Sequence, residues 1–357
     1  MKSDVSIAVM YLARKAEGRS AFQSFLRSYA EHPAGITHDL VILLKGYDDG
    51  NELDEAKALF SPYTRHLIAI PDEGFDLDSY YAGARSICHE FICCFNTFST
   101  ILDGDWLEKF YLHASQPDVG IVGATASFES NRDALIFFQR VAWQHMYGPH
   151  DEKRDALFAH YFDFVLKHLC FPTPGSDEGT EIMARNAEQG QSQEMAFQKW
   201  WELRCLKIRD FAEICSFPSF PNPHIRTNAF MMRRRHFLET YRIPGSSKLD
   251  TSHMESGTYS ITRQILRRDL RAQIVGRNGV GYDVVDWPSS GTFRLQSQKN
   301  LLIADNRTRD FDNSSKGWQT THAWLAWGTP TIPLPSDFPH LGVEFRTPNE
   351  SEIQRSI

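Results

Sequence analysis

Short apolar runs of strand length alternate with helical stripes five times within roughly the first 125 residues. The runs span 5–13, 40–44, 66–70, 90–95 and 119–124. Between the first two, Phe22, Phe25, Leu26 and Tyr29 fall at i, i+3, i+4 and i+7, one face of a helix. Leu53, Ala56 and Phe60 mark a second stripe, 80–87 a third helix, and Leu107, Phe110, Tyr111 and Ala114 a fourth. The run 40–44 has no polar interruption, which suits a strand covered on both faces. Strand and helix in strict alternation specify an α/β fold, a doubly wound, mostly parallel sheet with right-handed crossovers. Ligands of such sheets lie outside the carboxyl ends of the strands. The site is therefore expected in the loops 13–17, 46–50, 71–78 and 96–105.

The pattern changes after 131. Phe158, Tyr161, Phe162, Val165, Leu166 and Leu169 form a helical stripe in what reads as a helical insertion. A strand at 225–232, a helix at 257–268 and a strand at 271–276 then resume the α/β pattern. Beyond 311 the chain is rich in Pro, Ser and Thr, with an aromatic knot at 322–327, and its Pro-rich stretch 330–335 and polar end suggest an extended, partly ordered segment. The divisions read from these changes are 1–125, 126–215, 216–310 and 311–357.

Composition removes several classes. Lys and Arg number 38 against 45 Asp and Glu, a formal charge of −7, which opposes general nucleic-acid binding. No apolar run approaches the ~20 residues that span a bilayer. The N-terminal stretch reads as a strand rather than a signal peptide. Six cysteines are scattered without a CxxC pair, which predicts free thiols in a reducing, cytoplasmic setting. Adjacent Cys93 and Cys94 should face opposite sides of a strand. P-loop, GxSxG and HExxH patterns are absent.

Five segments carry residues suited to chemistry. Lys45-Gly46-Tyr47-Asp48-Asp49-Gly50 ends the second run; its carboxylates can accept hydrogen bonds from a base or ribose, Tyr47 can stack, and Asp-Asp-Gly also reads as a turn. Asp76 and Asp78 precede the helix bearing Arg85, and Asp78 also reads as its N-cap. Asn96 and Ser99 follow the fourth run, and a literal Asp103-Gly104-Asp105 comes after them, with Asp105 a second N-cap candidate. Arg226 and Asn228 sit at a strand edge, where an Arg fork suits phosphate. Glu255 precedes the 257–268 helix, beside Ser256.

The order of these landmarks resembles the inverting, family-2-like glycosyltransferases of GT-A fold, of the bacterial surface-polysaccharide type. The resemblance covers 5–125 and 225–285, about half the chain. It implies a GT-A-like fold with a nucleotide-sugar donor half at 1–125 and an acceptor half at 216–310. It further implies that Tyr47, Asp48, Asp76, Asp78, Arg85, Asn96, Ser99, Arg226 and Asn228 meet the donor. Glu255 takes the position of the general base that deprotonates the acceptor hydroxyl. The family's metal-binding DxD matches Asn96 and Phe98 here, so dependence on Mg or Mn is open, with Asp103 and Asp105 as weak candidates. The implied partners are the donor and a glycan or lipid-linked acceptor, with peripheral association at the inner membrane face. A nucleotidyltransferase and a non-catalytic sugar- or partner-binding module are the alternatives.

Overall fold

The computed structural model describes residues 6–47, 50–137, 141, 150–152, 156, 215–243, 248–328 and 346–357. The Phe158–Leu169 stripe and most of the expected insertion lie outside these residues, as does Asp48. Among the described residues no helix is long and apolar enough to cross a membrane.

The fold is α/β, built on one eight-stranded, mostly parallel sheet flanked by helices. Strands β1 (Ile7–Arg14), β2 (Asp39–Lys45), β3 (His66–Ile70), β4 (Phe91–Phe95) and β6 (Val119–Gly123) come from the first 125 residues. β9 (Ala229–Arg233), β10 (Arg271–Val275) and β11 (Gly281–Asp283) come from the later half. The order across the sheet is β11-β10-β6-β9-β4-β1-β2-β3. β9 runs antiparallel to both β4 and β6, and β11 is antiparallel to β10; the remaining neighbours are parallel. Both halves of the chain therefore share one sheet. Two-stranded ribbons, β5 (Thr100–Ile101) with β12 (Ile303–Ala304) and β7 (Ala126–Ser127) with β8 (His224–Ile225), lie beside it.

Strand periodicity explains the two cores. Along β1, Ile7, Val9, Tyr11 and Ala13 face one side, and Ala8, Met10 and Leu12 the other. Helices α1 (Arg19–Glu31), α2 (Asn51–Phe60) and α4 (Trp106–Ala114) cover the first side through Phe25, Phe60 and Phe110. Helix α3 (Asp76–Arg85) covers the second with Leu77 and Tyr80, joined by Phe237, Met254 and Ile265. Each fully buried Phe contributes roughly 1.5–3 kcal/mol by leaving water. Cys93 and Cys94 fall into opposite cores, as the pleat requires, and both are free thiols. Gly83 lets α3 approach β2, since a Cβ there would lie 2.8 Å from Leu43.

Three local expectations are corrected. The helix expected over 257–268 is present but shorter, Ile261–Leu266, and a separate helix, Lys248–Ser256, ends just before the segment. Gly257 follows Lys248–Ser256, and the Ser260 side chain caps Ile261–Leu266 by accepting from the Arg263 N–H. The expected strand 225–232 is split into β8 and β9 by a turn at Thr227-Asn228. Beyond 311 the chain is helical at Lys316–Trp327 and, in the polar end, at Glu350–Ser356, while the Pro-rich stretch 330–335 lies outside the described residues. Ser315 caps the first of these and Gly328 closes it in the left-handed conformation, so the aromatic knot is the buried end of a helix.

Candidate functional site

The carboxyl ends of β1, β2, β3, β4 and β6 form one rim, and the antiparallel β9 begins there. The loop after β4 is fixed from below. Tyr11 Oη donates to Thr97 O at 2.7 Å, and Thr97 Oγ1 donates to Leu12 O at 2.8 Å. The Asn96 N–H donates to Asn228 O at 3.0 Å, which joins the end of β4 to the start of β9. Thr227 then donates from Oγ1 to Glu255 Oε1 at 2.8 Å. Asn96, Asn228, Thr227 and Glu255 are thus one connected cluster, although Glu255 lies in a distant stretch of sequence.

Glu255 sits in the last turn of the helix Lys248–Ser256 and ahead of the helix Ile261–Leu266. A carboxylate there opposes the helix dipole, an unfavourable placement of roughly 0.3–1 kcal/mol. The Thr227 hydroxyl compensates by direct donation. Ser256 is buried, and its carbonyl accepts from Asn222 Nδ2 at 2.6 Å, which anchors the helix end from the other side.

Around Asn228 the polar groups are mostly committed. Its Oδ1 accepts from Thr125 Oγ1 at 2.8 Å, while Nδ2 is buried with no hydrogen-bond partner. Arg226 donates to Asp305 Oδ2 at 2.8 Å and to Thr125 Oγ1 at 3.3 Å. Its guanidinium lies 4.4 Å from the centre of the Phe293 ring. Asp305 is 1% exposed. Burial pushes its pKa up, but Arg226 and the Thr308 N–H outweigh that, and the net direction is down. Arg294, paired with Glu129 at 3.0 Å, packs on the same ring at 4.7 Å. His224 is buried and donates from Nδ1 to Asn222 O at 2.8 Å. Burial lowers its pKa to about 4, so the ring is neutral.

The acidic turn forms a second cluster on the same rim. Lys45 is 1% exposed and donates to Gly74 O at 2.6 Å. Burial lowers its pKa and Arg14 adds to this, against the opposing charges of Asp76, Asp72 and Asp78. Gly46, at φ +76, makes the turn after β2, where a Cβ would meet Asp72 at 3.1 Å. Tyr47 packs half-buried against the first core. Asp78 is the third helical residue, not the N-cap: its Oδ2 accepts from the Phe75 N–H at 3.0 Å, and its Oδ1 pairs with Arg242.

Several expected contacts are displaced. Ser99 is 1% exposed, its Oγ lying 2.9 Å from Asn96 Oδ1 and 2.8 Å from Asn228 O, so it braces the loop from inside. Arg85 ends α3, about 15 Å of helix away from the Asp76 end. Asp105 occupies the position before α4 with a left-handed backbone, and its side chain caps nothing. Asp103 pairs with Lys109 at 2.6 Å, which pulls its pKa down. Asn96 Oδ1 accepts from the Phe98 N–H at 3.1 Å as well as facing Ser99. No group of three His, Cys, Asp or Glu side chains able to hold a metal occurs among the described residues. The Asn96 amide is engaged in its own loop and Asp103 is paired with Lys109, so neither is placed to hold a divalent ion.

Sequence reasoning did not single out Thr125, Thr227 or Asp305, and it passed over Lys45 as a binding group. A buried Lys at the end of an apolar strand was the one local signal available.

No family model and no curated protein sequence matches the chain. Among solved structures it is similar to S. aureus TarS 1-349, at 10% identity over 33% of this chain and 35% of that one, with a TM-score of 0.27. It is also similar to GalNAc-T7 crystallised with UDP, GalNAc and Mn2+, at 13% identity over 35% of this chain and 23% of that one, with a TM-score of 0.28. The chain thus spans about a third or less of the length of either protein.

Proposed function

We propose that the protein is a glycosyltransferase that moves a sugar from a nucleotide-sugar donor to a glycan or lipid-linked acceptor, with inversion. The observation that carries the reading is the Glu255–Thr227 hydrogen bond beside the Asn96–Asn228 junction at the carboxyl rim of the sheet. Glu255 removes the proton of the acceptor hydroxyl. The oxygen then attacks the anomeric carbon, and the bond from that carbon to the diphosphate breaks, the nucleoside diphosphate leaving with the electron pair. A base within reach of the hydroxyl contributes about 10²–10⁴-fold. Thr227 holds the carboxylate in place against the helix dipole.

Tyr47 with Asp48 suits the base and ribose, and Asp76 and Asn96, at the same rim, are assigned to the donor's diphosphate end. A cytoplasmic setting in surface-polysaccharide synthesis, at the inner membrane face, belongs to the same reading. No step is routed through a metal.

A panel of nucleotide sugars, scored by thermal shift with and without Mn²⁺, tests donor binding. Glu255→Gln should then abolish transfer while keeping the donor shift. Retained turnover would remove Glu255 from the chemistry. The engaged Asn96 amide favours one second reading, a sugar-binding module without turnover. Silence across the whole nucleotide-sugar panel would select it.

A further inference from the structure

Of the large side chains exposed among the described residues, Tyr241 and Tyr259 are a pair whose rings meet. They are 57% and 46% exposed, with ring centres 5.2 Å apart and planes at 49°. Eighteen residues separate them, so the fold brings them together. One side chain holds both. Gln264 Oε1 accepts from the Tyr241 N–H at 2.6 Å, and Nε2 donates to Tyr241 O at 3.0 Å and Tyr259 O at 2.8 Å. An amide that uses both ends on two backbones holds the two tyrosines side by side. Rings this exposed gain little from core burial, so the arrangement has no explanation in folding alone.

The surface adjoins a depression between α3 and the helix Lys248–Ser256. Thr240, Arg242, Asp250 and Thr251 line it with polar groups, and Tyr81 and Met254 with apolar ones. Arg242 is seated over the Tyr81 ring at 4.2 Å and paired with Asp78, so its fork is fixed. Met254 precedes Glu255 directly. Flat apolar faces beside convergent donors and acceptors match a pyranose ring, which shows C–H bonds on its faces and hydroxyls around its edge. Two rings are far too small for a stable protein interface, which buries about 1,200–2,000 Å².

We infer that Tyr241 and Tyr259 form an outer subsite for the acceptor glycan, a sugar ring lying on the tyrosines with its hydroxyls toward Asp250 and Thr251. This rests on the transferase reading for the direction of the glycan, toward Glu255. The test is retention on an array of immobilised oligosaccharides, with parallel calorimetric titration of UDP and GDP. The wild-type protein should retain a subset of glycans. The double variant Tyr241→Ala/Tyr259→Ala should bind them about tenfold more weakly, the scale of one aromatic contact. Gln264→Ala should fall in between, and Tyr63→Ala, an exposed ring elsewhere, should change nothing. Equal retention by the double variant, or no retention by the wild type, overturns the subsite. Dimerisation abolished by the double variant, without glycan retention, overturns it in favour of self-association. The nucleotide titration reads the donor site separately, so its failure strikes the transferase reading and not the tyrosine surface.

Discussion

Thr227 Oγ1 donates to Glu255 Oε1 at 2.8 Å, and the residue after Thr227 receives the backbone N–H of Asn96 through its carbonyl. The acid is therefore positioned by the same turn that joins β4 to β9. Removing the hydroxyl without changing side-chain shape isolates that link. Thr227→Val should lower kcat by about ten- to a hundredfold, since a hydrogen bond to a charged group is worth about 1.5–3 kcal/mol. KM for the donor should stay within a factor of about two, because the role proposed for the acid is toward the acceptor. Steady-state kinetics with the donor varied at saturating acceptor check this, and a rise in donor KM alone would place Thr227 in binding instead.

The Arg226–Asp305 pair makes a stability prediction with a definite pH sign. Asp305 has a lowered pKa in the folded protein, so its contribution is present above the unfolded carboxylate value of about 3.9 and is lost as pH falls through the folded one. Asp305→Asn leaves a largely buried guanidinium uncompensated, which costs about 3–5 kcal/mol at neutral pH. Urea unfolding at pH 7 and pH 3.5 should show the variant losing less on acidification than the wild type.

How much of the fold and site is legible in the sequence depends on range. The strands β1 to β4 and β6 and the helices between them announce themselves through apolar periodicity, because each must bury a face. The placement of Glu255 does not. The segment Lys248–Ser256 has a weak stripe, and the short link Gly257-Thr258-Tyr259 hides the boundary before the capping Ser260. The helix Lys316–Trp327 is concealed because Ser, Thr and Gly around it suggest a loop, while its caps, Ser315 and Gly328, are those same residue types. Partners such as Thr227 with Glu255 and Arg226 with Asp305 are 28 and 79 residues apart, and no local pattern encodes such pairs.

His224 supplies a second pH dependence, in a different window. Its folded pKa of about 4 lies below the unfolded value of about 6.5, so the unfolded chain binds the extra proton between them. Stability is then fully present above about pH 6.5 and falls as pH drops toward 4, by about 3 kcal/mol in all. His224→Gln removes the titration and should flatten this part of the curve. Chemical denaturation at pH 7, 6 and 5 measures it; an unchanged slope in the variant would assign the dependence to other histidines, of which His38 and His236 are also lowered by burial.

The loop that carries Phe293 and Arg294 is held at a conformational cost. Arg294, Gln296, Ser297 and Gln298 all have positive φ, between 50° and 52°. For a residue with a Cβ the left-handed region costs roughly 1–2 kcal/mol. Gln298 and Arg294 have reasons to stay: Gln298 Nε2 donates to Thr308 O at 3.0 Å, and Arg294 pairs with Glu129 beneath the cluster. Ser297 is exposed, and its side chain has no such task. Ser297→Gly should therefore stabilise the protein by about 0.5–1 kcal/mol, the relief of the Cβ clash less the extra freedom glycine gives the unfolded chain. The measurement is the urea midpoint at constant slope. A destabilised variant would mean that the loop is not strained at this position.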